Sequence, residues 1–139
     1  MEASRLILHV EDDPVDAGNL QRVFSRRGIR NPIYTVPNGE RALVFLREVG
    51  ADRVRRPAVI LLDLGMPVMG GLELLEQLKA DPALRSIPVV VFTASKREEE
   101  RRRAYELGAA GYVVKPIEFD RFAEAIDVIE RYWALCELA

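Results

Sequence analysis

The chain holds little of what marks a specialised protein class. Cys136 is its only cysteine, so no intrachain disulfide can form and a reducing compartment is expected, with the thiol packed or inert. His9 is its only histidine, and it sits inside an apolar run with no second imidazole to complete a metal site or to serve a nucleophile. No apolar stretch approaches the roughly 20 residues of a membrane helix, and the N-terminus lacks a basic segment followed by a long apolar run. Cytoplasmic localisation with no membrane partner is the expectation. Charge of one sign is nearly absent too: the formal net charge is -2, which gives no electrostatic argument for nucleic acid. Arg53, Arg55 and Arg56 read as a solvated turn. Repeats, low-complexity tracts and linkers are missing, so the 139 residues read as one domain, 1–139, with no output domain.

What is present is an ordinary globular composition, 49% hydrophobic and 30% charged, with one stretch that organises the rest. Ala58-Val59-Ile60-Leu61-Leu62 is an uninterrupted apolar run of the kind found in a central parallel strand covered on both faces, and it ends in Asp63. Glycines and proline in Leu64-Gly65-Met66-Pro67-Val68-Met69-Gly70-Gly71 then mark a loop. An acid at that address stands where open α/β sheets keep their ligands.

The remaining chain repeats the arrangement. Leu6–Val10 forms a first strand ending in Glu11, Asp12 and Asp13, where Asp13-Pro14 suits an N-cap and first helical residue and leaves Glu11 and Asp12 for other work. A helix with Ala17, Leu20, Val23 and Phe24 inward stops near Gly28. Ile33–Val36, flanked by prolines, reads as an edge strand, and Asn38 can cap a helix burying Ala42, Leu43, Leu46 and Val49. After the Asp63 strand, Leu72, Leu75 and Leu78 stripe a third helix that ends near Asp81-Pro82. Val89–Phe92 is a strand terminating at Thr93. A charged helix follows from about Ser95 to Leu107, with Glu98–Arg102 and Glu99–Arg103 as i,i+4 pairs. Gly111–Val114 is a strand ending at Lys115-Pro116, before a last helix from about Glu118. Alternating strands and helices with right-handed crossovers predict a doubly wound α/β domain, a flavodoxin-like three-layer sandwich with a five-stranded parallel sheet in the order 2-1-3-4-5.

That order gathers Glu11, Asp12, Asp63, Thr93 and Lys115 at one rim of the sheet. Singly, each has an ordinary explanation as a helix cap or an exposed strand end; five coincident strand ends do not. Three carboxylates together repel one another unless a cation joins them, and magnesium, which takes oxygen ligands and retains waters, fits. Asp63 can then act as a carboxylate nucleophile toward phosphorus, with Lys115 and Thr93 contacting the transferred oxygens.

Val10-Glu11-Asp12-Asp13, Leu61-Leu62-Asp63-Leu64-Gly65-Met66-Pro67, Val91-Phe92-Thr93-Ala94 and Gly111-Tyr112-Val113-Val114-Lys115-Pro116 together resemble the motifs of bacterial response-regulator receiver domains, the CheY-like fold. The resemblance covers nearly the whole chain. It implies that Asp63 is the phosphoacceptor, Asp12 a direct magnesium ligand, Glu11 its partner and the Gly65 carbonyl a backbone ligand. It also implies that Thr93 and Tyr112 form a switch pair and that Lys115 contacts phosphate, joined to Pro116 by a cis peptide. Gly65 departs from the pattern, since many receivers carry a larger polar side chain there. Asp81–Pro88 and Ile129–Trp133 are similar to single-domain regulators paired with phytochrome-type sensor kinases, which implies a partner histidine kinase and a homodimer.

Other readings fit less well. A flavin carrier of the same fold needs phosphate donors after the first strand, where this chain has acids. An aspartyl-nucleophile, magnesium-dependent phosphatase places a second acid two residues after the nucleophile, where this chain has Gly65. The expectation is therefore a phosphoacceptor rather than a turnover enzyme, signalling by a conformational change or, alternatively, passing its phosphoryl group onward in a phosphorelay. The last helix carries two apolar stripes about 60° apart at 3.6 residues per turn. Phe122, Ile126, Ile129 and Trp133 form one, and Ala125, Val128, Tyr132 and Leu135 the other. A single packed face needs only about 100° of arc, so Val128, Tyr132 and Leu135 are read as a dimer face.

Overall fold

In a computed structural model, which describes residues 5–50, 52 and 54–135, the strands and helices alternate as the sequence implies. They run β1 (Ile7–Val10), α1 (Pro14–Arg27), β2 (Ile33–Val36), α2 (Gly39–Val49) and β3 (Val59–Leu62). The order continues with α3 (Gly71–Ala80), β4 (Val89–Thr93), α4 (Glu98–Glu106), β5 (Gly111–Val114) and α5 (Phe119–Leu135). All pairings are parallel and the sheet order is β2-β1-β3-β4-β5. β1, β3 and β4 are buried along their length, whereas β2 and β5 form the partly exposed edges.

Strand side chains alternate between two cores. Leu8, Val10, Ile60, Leu62, Val89 and Val91 pack with α2, α3 and Ala104 of α4. Ile7, Val59, Leu61, Val90 and Phe92 pack with α1 and α5, where Phe92 meets Phe122 at 5.3 Å and Phe24 meets Trp133 at 5.8 Å. Trp133 also donates through Nε1 to Asn31 Oδ1 (3.3 Å), and Asn31 in turn donates to the Arg5 carbonyl (2.8 Å).

The caps read from sequence are present. Asp13 Oδ1 accepts from the Val15 amide at 2.8 Å with Pro14 opening α1, and Asn38 Oδ1 accepts from the Arg41 amide at 2.9 Å. Gly28 closes α1 at φ 66°, a left-handed conformation that costs glycine nothing sterically.

Several details differ from the sequence reading. Arg56 is not part of a solvated turn: it is buried, and its guanidinium donates to Ser86 Oγ at 2.7 Å. Arg53 and Cys136 lie outside the described residues. α4 begins at Glu98 rather than Ser95, because Ser95 Oγ donates to the Glu100 carboxylate and accepts from the Arg97 amide, holding the preceding residues in the loop. The expected Glu98–Arg102 and Glu99–Arg103 pairs give way to Glu98–Arg101, Arg102–Glu106 and Arg103 shared between Glu106 and Glu76. All are solvent-exposed, so exchanging one set for another changes stability little. In α3, Leu74 is fully buried and Leu72 only partly. No peptide bond among the described residues is cis, so Lys115–Pro116 is trans, contrary to what the resemblance implies and in the form X–Pro bonds ordinarily prefer. No described helix is long and apolar enough to cross a membrane.

From Asp63 to the start of α3 the backbone is tightly constrained at two residues. A Cβ on Gly71 would stand 2.3 Å from the Asp63 carbonyl oxygen and 2.8 Å from Leu64 Cα, both backbone. Gly71→Ala should therefore destabilise by about 1–3 kcal/mol in chemical denaturation, as overpacking does; an unchanged midpoint would mean the contact is relieved freely. Val68, 76% exposed, has φ 67°, which is costly for a β-branched residue. Val68→Gly should stabilise by roughly 1 kcal/mol, the released left-handed strain outweighing the added chain entropy, and a lower melting temperature would contradict this.

Candidate functional site

The site is built from the residues that continue the strands past their carboxyl ends. Backbone hydrogen bonds run on beyond the regular ladder: the Asp63 amide donates to the Val10 carbonyl (3.1 Å), Glu11 to Val36 (2.9 Å) and Lys115 to Thr93 (2.7 Å). The alternation of the pleat therefore carries through. Glu11, Asp63 and Lys115 share the parity of the α1/α5 face, while Thr93 and Tyr112 share that of the α3/α4 face.

On the first face the carboxylates converge. Glu11, Asp12 and Asp63 each offer an oxygen within 4.8 Å of the others, Glu11 and Asp63 buried and Asp12 at the surface. Hard oxygen donors, two sunk and one at the mouth, suit a small divalent cation that keeps part of its water shell. Asp63 is 9% exposed, and its Oδ1 accepts from the Leu64 amide at 2.9 Å. Gly65 is exposed two residues on, and a Cβ there would meet nothing within 4 Å, so the fold itself does not require glycine for space at that position.

Lys115 crosses from the opposite wall. Its Nζ donates to Glu11 Oε1 and, at 2.8 Å, to Asp16 Oδ2, and lies 3.7 Å from Asp63 Oδ2. Burial pulls the ammonium pKa down, but the hydrogen bonds to Asp16 and Glu11 and the charges of Glu11 and Asp63 outweigh it and raise the pKa above the ordinary lysine value. Burial pushes the Glu11 carboxyl up to about 7 despite the hydrogen bond from Lys115, with Asp63 adding to the rise. His9 lies beneath Glu11, Nε2 to Oε1 4.0 Å, and its Nδ1 is buried without a hydrogen-bond partner among the described residues. Burial, then the Lys115 charge, lowers it to about 4, so it is a neutral packing residue near pH 7, as expected from sequence.

On the other face Thr93 is buried, and its Oγ1 lies 3.4 Å from the Ser95 amide, which donates to it. The half-buried Tyr112 donates its hydroxyl to the Ser95 carbonyl at 3.0 Å. Both thus bear on one short loop, through Ser95.

From the sequence alone Asp16 and Ser95 have no role at the site, Ser95 being read there only as the start of a helix. Asp16 lies in the first turn of α1, where an acid is explained by the helix dipole alone, and only the sheet's parity brings Lys115 to it. Val128 (64% exposed), Tyr132 (38%) and Leu135 (84%) do not join the cluster; they lie on the outer side of α5, away from the buried stripe of Phe122, Ile126, Ile129 and Trp133.

Comparison with known proteins agrees with this geometry. Residues 7–127 match the response regulator receiver domain. The probable methanogenesis regulatory protein FilR2 of Methanothrix harundinacea is 37% identical over 128 residues, covering 92% of this chain and 83% of that protein. Response regulator Rcp1 of Synechocystis is 34% identical over 130 residues, 93% of this chain and 88% of Rcp1. The Mn(2+)-bound structure of Rcp1 superposes with a TM-score of 0.86 over 97% of this chain and 99% of that one. The phosphorylated cyanobacterial phytochrome response regulator RcpA gives 0.88 at 32% identity, over 98% and 99% of the two chains. This chain belongs to the response regulator receiver domain family.

Proposed function

We propose that Asp63 accepts a phosphoryl group from the phosphohistidine of a sensor histidine kinase, with magnesium held by Glu11, Asp12, Asp63 and the Gly65 carbonyl. The observation that carries this reading is the convergence of three carboxylates within 4.8 Å, one of them, Asp63, 3.7 Å from the Lys115 ammonium. A carboxylate oxygen of Asp63 attacks phosphorus, and the new O–P bond forms as the N–P bond to the donor imidazole breaks, the nitrogen keeping the electron pair. The Leu64 amide fixes the orientation of the attacking carboxylate. Lys115 and the Thr93 hydroxyl bind oxygens of the transferred group, and magnesium held by the carboxylates would supply neutralisation of charge on them. Lacking an acid where Gly65 stands, the site is phosphorylated once and slowly hydrolysed instead of turning over small phosphoesters.

The readout runs through Thr93, Ser95 and Tyr112. Shifting two conformers from about 1:99 to 99:1 takes roughly 5.5 kcal/mol, within reach of a few charge-assisted contacts to a new phosphoryl group. The similarity to the phytochrome response regulator RcpA supports a phytochrome-type kinase as the donor. The exposed Val128, Tyr132 and Leu135 support a twofold homodimer through α4, β5 and α5, next to Tyr112.

With acetyl phosphate and magnesium, wild type should be labelled and Asp63→Asn not at all, while Asp12→Ala should lose about tenfold or more at limiting magnesium. Robust labelling of Asp63→Asn would move the acceptor elsewhere. Because the Glu11 carboxyl titrates near 7, cation binding below that pH must displace a proton. Apparent magnesium affinity should fall as the pH drops below about 7, with proton release visible by calorimetry in buffers of different ionisation enthalpy. An affinity flat across that range would remove Glu11 from the ligand set. For the dimer, mass in solution should drop to that of one chain in a Val128→Glu, Leu135→Glu variant, and a wild type that stays monomeric when concentrated, with or without a phosphoryl mimic, would exclude it.

A further inference from the structure

We propose that Asp16 is a positioning residue that holds the Lys115 ammonium on the α1 side of the site, in competition with the phosphoryl group; the proposal rests on Asp63 being the acceptor. Lys115 Nζ is within hydrogen-bond distance of Asp16 at 2.8 Å and bonded to Glu11, but stands 3.7 Å from Asp63. The placement is built in. Asp13 caps α1 and Pro14 opens it, which sets Asp16 in the first turn, and the pleat of β5 delivers Lys115 to the same face of the sheet.

The two carboxylates that hold Lys115 are not equivalent. Glu11 belongs to the oxygen cluster suited to a cation, so a cation held there would compete with Lys115 for that carboxylate. Asp16 is outside the cluster and remains as the partner that decides where Lys115 rests in the cation-loaded, unphosphorylated protein. Its side chain is 28% exposed against 1% for Glu11, so its hold is replaceable. Closing the gap to Asp63 requires the ammonium to move about 1 Å, the difference between 3.7 and 2.8 Å, and a phosphoryl group on Asp63 provides the attraction. The Asp16 carboxylate then gives up the ammonium when the site is phosphorylated, while the Asp13 cap keeps the first turn of α1 in place. An acid serving only the helix dipole would act independently of Lys115, which separates the two roles.

The test is a double-mutant cycle read as binding of beryllofluoride, a phosphoryl mimic, by calorimetry at saturating magnesium. Asp16→Asn should tighten binding roughly three- to tenfold, the scale of a partly exposed ion pair, and should change nothing in a Lys115→Ala background. In the unliganded protein the same substitution should shift the Lys115 Cε resonance. Unchanged or weaker binding by Asp16→Asn, or an equal change in both backgrounds, overturns the proposal while leaving Asp63 as acceptor. A folded wild type that binds no beryllofluoride overturns the acceptor reading and this proposal together. Asp16→Ser repeats the cycle if Asp16→Asn does not fold.

Discussion

One ammonium group lies among three carboxylates at the open end of the sheet, and the rest of the site follows from that arrangement. Lys115 is bonded to Glu11 and Asp16 and lies 3.7 Å from Asp63. Water solvates little of this cluster, since the side chains of Lys115 and Glu11 are almost wholly buried. A buried positive charge needs its partners, and buried acids need theirs, so removing either leaves an uncompensated charge in a poor solvent. A cation bound by Glu11 would compete with Lys115 for that carboxylate, whereas Asp12 stands exposed at the mouth of the site.

The fold supplies the precision. Parallel strands end in register, and the ladder hydrogen bonds of Glu11, Asp63 and Lys115 keep that register for one more residue. Gly71 lets the start of α3 press against the backbone of Asp63 and Leu64, closer than any side chain would permit. The loop that begins at Asp63 is therefore fixed from two directions, by β1 on one side and by α3 on the other. On the second face the Ser95 amide donates to Thr93 and the Ser95 carbonyl accepts from Tyr112, so both side chains are tied to the loop before α4.

Much of this was legible in the sequence, for identifiable reasons. Continuous apolar runs mark strands covered on both faces, and a polar residue that ends such a run has only the sheet rim to occupy, which is why Glu11, Asp63, Thr93 and Lys115 could be placed together. The caps at Asp13 and Asn38 act within a few residues and are equally visible. What escaped depends on contacts between distant segments. Asp16 meets Lys115 across 99 residues of chain, and Arg56 finds Ser86 across 30. Spacing carries no signal for either. The ion pairs of α4 differ from those the spacing suggests because exposed side chains of similar reach have several partners of nearly equal energy, as where Glu106 and Glu76 share Arg103.

The contact of Trp133 with Phe24 has a use of its own. α5 runs back against the strands, so its last turns lie at the sheet edge opposite Asp63, where Trp133 bonds to Asn31 just before β2. It is the only tryptophan in the chain. Its emission therefore reports whether α5 is docked on α1, with no other indole to mask the signal, from a vantage point remote from the acid cluster. Fluorescence in this protein is an optical gauge of the α5–α1 contact, read from a single indole.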